Sequence, residues 1–279
     1  MSKVNLTPEE LKNYTDKCEM DFFGIAPAER FRDVPPQYSP LSIFPRMKNV
    51  IVCVQEIPRG VFRGTEEGTL WQRASRQILP HYMYQLARYL EDEGCLAVPC
   101  SPLSQDRWPE GVKFREGNVE PNVYPFLEYA AVAAGLGEIG YSGLFLTPQF
   151  GIRQALGMLI TDLEIEAAPL NAADSRICGG TSCKECVKAC PMGASEGDEQ
   201  VKILNSVYTT AKFNKNICNL CPNGAFPDTT NETSMPNRLT AACARACIAC
   251  LENECKLEKK YHLPFRRRPA WGIKLDELR

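Results

Sequence analysis

The sequence predicts an α+β protein with a cysteine-rich C-terminal module, and three observations predict it. Strand-like and helix-like segments mix without the regular βαβ repeat of a doubly wound sheet. Ten of the fourteen cysteines lie beyond residue 177. Between the two parts, AAPLNAADS (167–175) is small and polar and reads as a linker. The expected division is therefore one domain over 1–170 and a second over 171–279.

The elements follow in order. Thr7, Pro8 and Glu10 form a capping-box start with proline at the first helical position, so a helix opens there. NVIVCVQEI (49–57) is β-branched and apolar between Pro45 and Pro58, which predicts a buried strand. Residues 66–93 predict a long helix broken or kinked at Pro80. CLAVPC (95–100) follows Gly94 and predicts a second, short strand. Residues 126–134 are Ala-rich and apolar all round, the composition of a buried helix. Four glycines in ten residues follow in AGLGEIGYSG (134–143), and then the strand-like runs LFLT and GMLITDLEI.

A chain of 279 residues can bury a sizeable core, and a formal charge of −2 argues against a broad nucleic-acid footprint. No apolar stretch approaches the ~20 residues of a membrane span. The opening MSKVNLTPEE has no basic segment followed by an apolar run and no twin-arginine pair, so the expectation is a soluble, cytoplasmic protein. In a reducing compartment fourteen cysteines point to metal ligation before disulfides.

The cysteine spacing says which metal chemistry. Cys178-x4-Cys183-x2-Cys186-x3-Cys190 is followed by Pro191. Its C-x2-C-x3-C-P tail is the ferredoxin pattern, in which the cysteine before proline crosses over to the other of two clusters. Cys218, Cys247, Cys250 and Cys255 supply the complement. The crossover rule then expects Cys178, Cys183, Cys186 and Cys255 on one 4Fe–4S cluster and Cys190, Cys218, Cys247 and Cys250 on the other. Two departures stand. Four residues instead of three precede Cys255, with no proline after it, and Cys221 and Cys243 are close enough to replace a named ligand. Structural zinc also uses C-x2-C pairs and is the alternative reading, although zinc sites rarely show a crossover with a C-P end. Cys18, Cys53, Cys95 and Cys100 stand alone and read as packing residues.

Gly135, Gly137 and Gly140 match a dinucleotide fingerprint by letter. The fingerprint needs a strand before it and a helix after it, and here the order is reversed. Glycines of this kind let backbone pass close to something bulky, either a neighbouring element or a cofactor.

The run AAVAAGLGEIGYSGLFLTPQFGIRQALGMLITDLEI (130–165), with the cysteine run ending CPMGA after it, resembles the epoxyqueuosine reductase and reductive dehalogenase superfamily. GCLAVPC (94–100) resembles its dehalogenase side, and FFGIAPAERF (22–31) is similar to its opening segment. The resemblance is to a short member without a helical-repeat extension. It implies a nitroreductase-like core that holds cobalamin, followed by a ferredoxin-like two-cluster module that delivers electrons to cobalt. The corrinoid would be lined by Gly135, Gly137, Gly140, Tyr141, Gly143, Thr147, Pro148, Gly151 and Arg153. No D-x-H-x-x-G element is present, and His81 and His262 are the only histidines, so no histidine ligand from that element is expected.

Where tRNA-acting relatives carry an aspartate proton donor, this chain reads VEPNVYPFLEY (119–129), so Tyr124 and Glu120 are the candidate donors. The implied activity is reduction of an organic substrate, either a small molecule or a modified nucleoside in tRNA, fed by a low-potential ferredoxin or flavodoxin. Lys256, Lys259, Lys260 and Arg266–Arg268 form the one basic cluster and would dock such an acidic donor. Two other classes fit the same residues: a non-catalytic electron carrier or corrinoid-reactivating partner, and an iron–sulfur flavoprotein.

Overall fold

The computed structural model describes residues 6–62, 69–70, 73–100, 123, 125–167, 169–170, 176–225, 236–254 and 256–265. In chain order its first elements are α1 (Pro8–Lys17), β1 (Phe22–Pro27), α2 (Pro40–Ile43), β2 (Asn49–Glu56), α3 (Leu79–Asp92), β3 (Ala97–Cys100) and α4 (Leu127–Ala133). Then come β4 (Glu138–Ile139), β5 (Phe145–Leu146), β6 (Gln154–Thr161), α5 (Glu185–Lys188), β7 (Ser195–Ile203), β8 (Ser206–Phe213), α6 (Lys215–Asn219) and α7 (Ala242–Asn253). Two compact units interleave along the chain. One comprises Met1–Glu56, Gln72–Leu136 and Ala155–Ala172; the other comprises Ile57–Trp71, Gly137–Gln154 and Ala173–Arg279.

The first unit is built on a four-stranded sheet in the order β1-β2-β6-β3. β1 and β2 are antiparallel, with Gly24 opposite Val52, and β3 and β6 are antiparallel, with Ala97 opposite Thr161. The two central strands are covered on both faces: the first six residues of β2 and all eight of β6 are buried. That is why both read as unbroken apolar runs without polar alternation.

Helices reach this sheet at glycines. A Cβ on Gly157 of β6 would stand 2.7 Å from Met83 Cγ of α3, and a Cβ on Gly24 of β1 would stand 2.7 Å from the Ala134 carbonyl oxygen beyond α4. α4 itself is alanine-rich, which permits that approach, and Arg30 Nη1 donates to the Ala133 carbonyl at its end (2.6 Å).

The capping box at α1 is complete: Glu10 N–H donates to Thr7 Oγ1 (3.2 Å) and Thr7 N–H to Glu10 Oε2 (2.9 Å). The expected helix over 66–93 differs in detail. A π-helical turn over Ala74–Ile78 leads directly into α3, and Pro80 lies in the first turn of α3. Proline has no N–H to give and its ring crowds the turn before it, and the wider π-helical turn just ahead of Pro80 is where the helix accommodates it. The strand expected at GMLITDLEI starts earlier, at Gln154, and stops at Thr161. Among the described residues no helix is long and apolar enough to cross a membrane.

The second unit holds two hairpins and α5, α6 and α7. In the short hairpin β4–β5, Glu138 pairs with Leu146 and Ile139 with Phe145. Directly after it, Thr147 and Gly151 exchange both backbone hydrogen bonds at 2.9 Å and close the TPQFG segment into a loop. The long hairpin β7–β8 lies between the two cysteine runs, and its outer strand β7 is largely exposed. α5 packs against α7.

Candidate metal centre

Nine of the ten C-terminal cysteines are described, all in the second unit, and they form two neighbouring groups that meet at Cys186 and Cys243. Cys255 lies outside the described residues.

The first group starts at Cys178. Glu138 of β4 fixes the approach, because its Oε1 accepts the N–H groups of Ile177 (2.9 Å) and Cys178 (2.7 Å). Burial raises the Glu138 pKa, and those two hydrogen bonds oppose the rise. The Cys178 sulfur then receives the N–H of Tyr141 (3.2 Å) and of Gly180 (3.4 Å). Gly180 (φ 57°) and Lys184 (φ 54°) take left-handed backbone, which curls the segment around Cys183 into α5.

Cys186 is buried on α5, and Cys183 Sγ stands 3.7 Å from Cys250 Sγ of α7. The Cys247 thiol is pushed well up, first by burial and then by the neighbouring Cys186, Cys178, Cys250 and Cys183.

The second group lines a single recess. Cys190, Cys218, Cys221 and Cys243 surround it together with Phe213 and Arg238, and with its open mouth it measures about 310 Å³. The Ala194 N–H donates to Cys190 Sγ (3.4 Å). Burial pushes Cys218 up to about 11 and also raises Cys221 and Cys243, while the Arg238 charge pulls Cys218 and Cys243 back. In the first group burial pushes Cys186 up to about 12.

Buried thiols without a metal are held neutral, and a bound cationic centre reverses that sign and deprotonates them. Backbone N–H groups aimed at sulfur are the hydrogen bonds that stabilise a ligating thiolate and tune a cluster. The donor set is one of cysteine sulfurs with backbone N–H groups aimed at them, the chemistry an iron–sulfur centre uses. Among the described residues, no three His, Cys, Asp or Glu side chains are drawn together as one chelated ion would require.

This grouping departs from the expected pairing. The structure puts Cys221 and Cys243 beside Cys190 and Cys218, and it puts Cys247 and Cys250 beside Cys178, Cys183 and Cys186. The reason is helical. Cys243 and Cys247 are four residues apart on α7, one turn along its axis, so the helix presents them to successive sites. A sequence signal for this exists: Cys218-x2-Cys221 and Cys243-x3-Cys247 repeat the Cys183-x2-Cys186 and Cys186-x3-Cys190 spacings, split by a 21-residue insertion.

The expected corrinoid-lining side chains are engaged elsewhere within their unit. Tyr141 is buried with its hydroxyl donating to Asp198 Oδ1. Thr147 Oγ1 donates to Gln154 Oε1 (3.1 Å), and Arg153 Nη2 donates to Tyr261 Oη (2.7 Å).

The glycines serve packing. A Cβ on Gly137 would lie 1.9 Å from the Leu146 carbonyl oxygen, one on Gly140 would lie 2.3 Å from Leu146 Cδ1, and one on Gly151 would lie 3.0 Å from Leu251 Cδ1. Gly135 (φ 74°) faces the Pro169 carbonyl, at 3.0 Å from a Cβ. Gly143 is exposed and Pro148 half-buried, so backbone there stays open to approach. The side chains of Tyr141, Thr147 and Arg153 are thus each hydrogen-bonded within the protein.

Tyr124, Glu120 and Arg266–Arg268 lie outside the described residues. Lys256, Lys259 and Lys260 are exposed, with Lys256 paired to Glu254 (2.7 Å). His81 and His262 are both exposed. Cys53 is buried within β2, where burial pushes its thiol up to about 12, as expected of an inert packing residue.

Comparison with known proteins places this arrangement. No family model matches the chain. Tetrachloroethene reductive dehalogenase from Dehalobacter restrictus is 32% identical over 122 residues, which is 43% of this chain and 18% of that protein. Epoxyqueuosine reductase from Listeria monocytogenes is 39% identical over 84 residues, 29% of this chain and 21% of that protein. The chain thus spans about a fifth of the length of these two relatives.

Among solved structures, a reductive dehalogenase described as suggesting a mechanism for B12-dependent dehalogenation aligns over 99% of this chain and 43% of its own. Its TM-score is 0.58 at 16% identity. An epoxyqueuosine reductase bound to an epoxyqueuosine-modified tRNA-Tyr stem loop aligns over 91% of this chain and 66% of its own, with TM-score 0.56 at 17% identity. These likenesses show a shared mixed α/β fold. The matched segments are thus similar to both the epoxyqueuosine reductases and the reductive dehalogenases. Both kinds of relative are reductases.

Proposed function

We propose that the chain is a reductase whose second unit is a ferredoxin-like module carrying two 4Fe–4S clusters, with a nitroreductase-like corrinoid-binding core ahead of it. The two thiol groups, each with backbone N–H donors aimed at sulfur, carry this reading. Cys178, Cys183, Cys186 and Cys247 hold one cluster, and Cys190, Cys218, Cys221 and Cys243 hold the other. The crossover rule is kept, since Cys190 and Cys247 each close a C-x3-C step and each serves the cluster of the other run.

When bound, the clusters supply one-electron carriers, and a corrinoid supplies a low-valent metal for reducing an organic substrate. The chain's own residues do the rest. Glu138 orients the Cys178 loop, burial keeps water from the sulfurs, and the lysines near the end of the second cysteine run offer an acidic ferredoxin or flavodoxin a place to dock.

Tyr124 is the proposed proton donor, ahead of Glu120. A phenol with an ordinary pKa of about 10 stays protonated at neutral pH, whereas a carboxyl must be buried to do so.

The first substrates to assay are epoxyqueuosine in a tRNA anticodon stem loop and a small haloarene. Hydroxocobalamin should co-elute at about one per chain, and Tyr124→Phe should cut turnover ~100-fold while leaving iron content and cobalamin retention unchanged. Retention of flavin with cobalamin passing through would assign the core to the flavin branch. Equal turnover in the variant would remove Tyr124 from the reaction.

A further inference from the structure

Arg238 is an unusual residue for the wall of a thiol-lined recess. It is 5% exposed, and it lines the same recess as Cys190, Cys218, Cys221 and Cys243. One end is anchored: Nη2 donates to the Ser142 carbonyl (2.7 Å), and the guanidinium stacks on the Phe213 ring, 4.2 Å from its centroid. The other end is not. Nε and Nη1 are buried and have no hydrogen-bond partner among the described residues. A buried guanidinium with two unmet N–H groups is costly unless an acceptor and a counter-charge face it. Four sulfurs line the same recess, and the Arg238 charge acts on those of Cys218 and Cys243, which as thiolates on a cluster would provide both.

The first thiol group has different surroundings. Glu138 is buried against Cys178, and Glu254 Oε1 accepts from Cys250 Sγ (3.1 Å). The first site thus has carboxylates beside it together with the exposed Lys188 and Lys256, and the second has the buried cations Arg238 and Arg245. A cluster takes up one electron and becomes one unit more negative, with no bond made or broken. A fixed positive charge and N–H donors to its sulfurs favour that step, and neighbouring carboxylates oppose it.

We infer that Arg238 sets the reduction potential of the cluster held by Cys190, Cys218, Cys221 and Cys243, and makes it the more readily reduced of the two. Its Nε–H and Nη1–H would be the donors to that cluster's sulfurs, which would order the two clusters as a downhill electron path. This rests on the two-cluster reading above. Arg238 acts as a positioning residue through the cluster and touches no substrate.

The test uses the full chain, reconstituted anaerobically and titrated with dithionite while its electron paramagnetic resonance is followed. Two one-electron waves are expected. Arg238→Gln should lower the equilibrium constant for reduction at the upper wave at least tenfold, a shift of about 59 mV to lower potential. The lower wave should stay in place, with eight irons still bound. Arg238→Lys, which keeps the charge, should fall between the two. Unmoved waves in Arg238→Gln at full iron content overturn the inference. Should Arg238→Gln bind less iron, Arg238→Lys decides: recovery of iron and of the upper wave supports the charge role, and equal loss in both variants makes Arg238 a packing residue and overturns it. A wild-type chain that takes up no iron and sulfide overturns the cluster reading as well, a result distinct from unmoved potentials.

Discussion

Serine at Cys221 or at Cys243 is expected to halve the iron of the reconstituted chain, from about eight to about four per molecule, and to reduce electron delivery to background. Both thiols line the recess with Cys190 and Cys218, so a hydroxyl there leaves that cluster with three thiolates in a site whose remaining wall is apolar apart from Arg238. Serine's oxygen is a harder and far less acidic donor than a cysteine sulfur, and burial makes its ionisation costlier still.

Cys250→Ser is the informative contrast. Cys250 stands beside Cys183, and its thiol is pushed up to about 12, first by burial and then by its hydrogen bond to Glu254. It is outside the proposed ligand set, so this variant keeps eight irons, as does Cys95→Ser in the first unit. Iron counts by inductively coupled plasma spectrometry on the four variants decide between the two pairings. Loss of iron in Cys250→Ser, with none in Cys221→Ser, would restore the pairing read from spacing.

The second large effect is on stability. Glu252 of α7 holds Arg59 through two hydrogen bonds, from Nε (3.1 Å) and Nη2 (2.7 Å), and lies 3.6 Å from Arg153 Nε. The Arg153 side chain is 0% exposed and that of Glu252 is 9% exposed. Arg59 also lies over the Tyr261 ring at 4.2 Å, and Arg153 donates to the Tyr261 hydroxyl, so one carboxylate organises two cations and the segment that follows α7.

Glu252→Gln keeps the volume and removes the charge, leaving two guanidiniums facing a neutral amide. Breaking a buried pair from one side costs about 3–5 kcal/mol, which lowers the melting temperature by roughly 10 °C. Lys12→Ala should be silent in the same melt. Its partner Asp16 is half exposed, and the Lys12 side chain itself is 64% exposed, so solvent and salt already screen that pair. A Glu252→Gln melt coincident with wild type would show that the network contributes nothing net.

Much of the first unit was legible because local chemistry decides it. Thr7, Pro8 and Glu10 specify the start of α1 without outside help, and the β-branched run at Asn49 is buried on both faces as its composition demands. The glycine segment was legible only as a need for close approach. Which surface approaches depends on Leu146, whose carbonyl comes so near Gly137 that no side chain fits. That partner is set by tertiary pairing, which glycine spacing does not encode.

The second ligand group was hidden for a related reason. A 21-residue insertion separates Cys221 from Cys243, while Cys247 and Cys250 form a compact C-x2-C pair that spacing alone favours. Only the placement of α7 shows that Cys243 lines the recess while Cys247 stands near Cys186 and Cys178. Arg238 carried no sequence signal at all, since a single arginine in a polar stretch reads as surface.

The most direct test of the two-cluster account is the iron and acid-labile sulfide content of the chain reconstituted under anaerobic conditions, read together with its Mössbauer spectrum. The account predicts about eight irons and eight sulfides per chain, all in cubane clusters. Stoichiometric zinc with no acid-labile sulfide would contradict it.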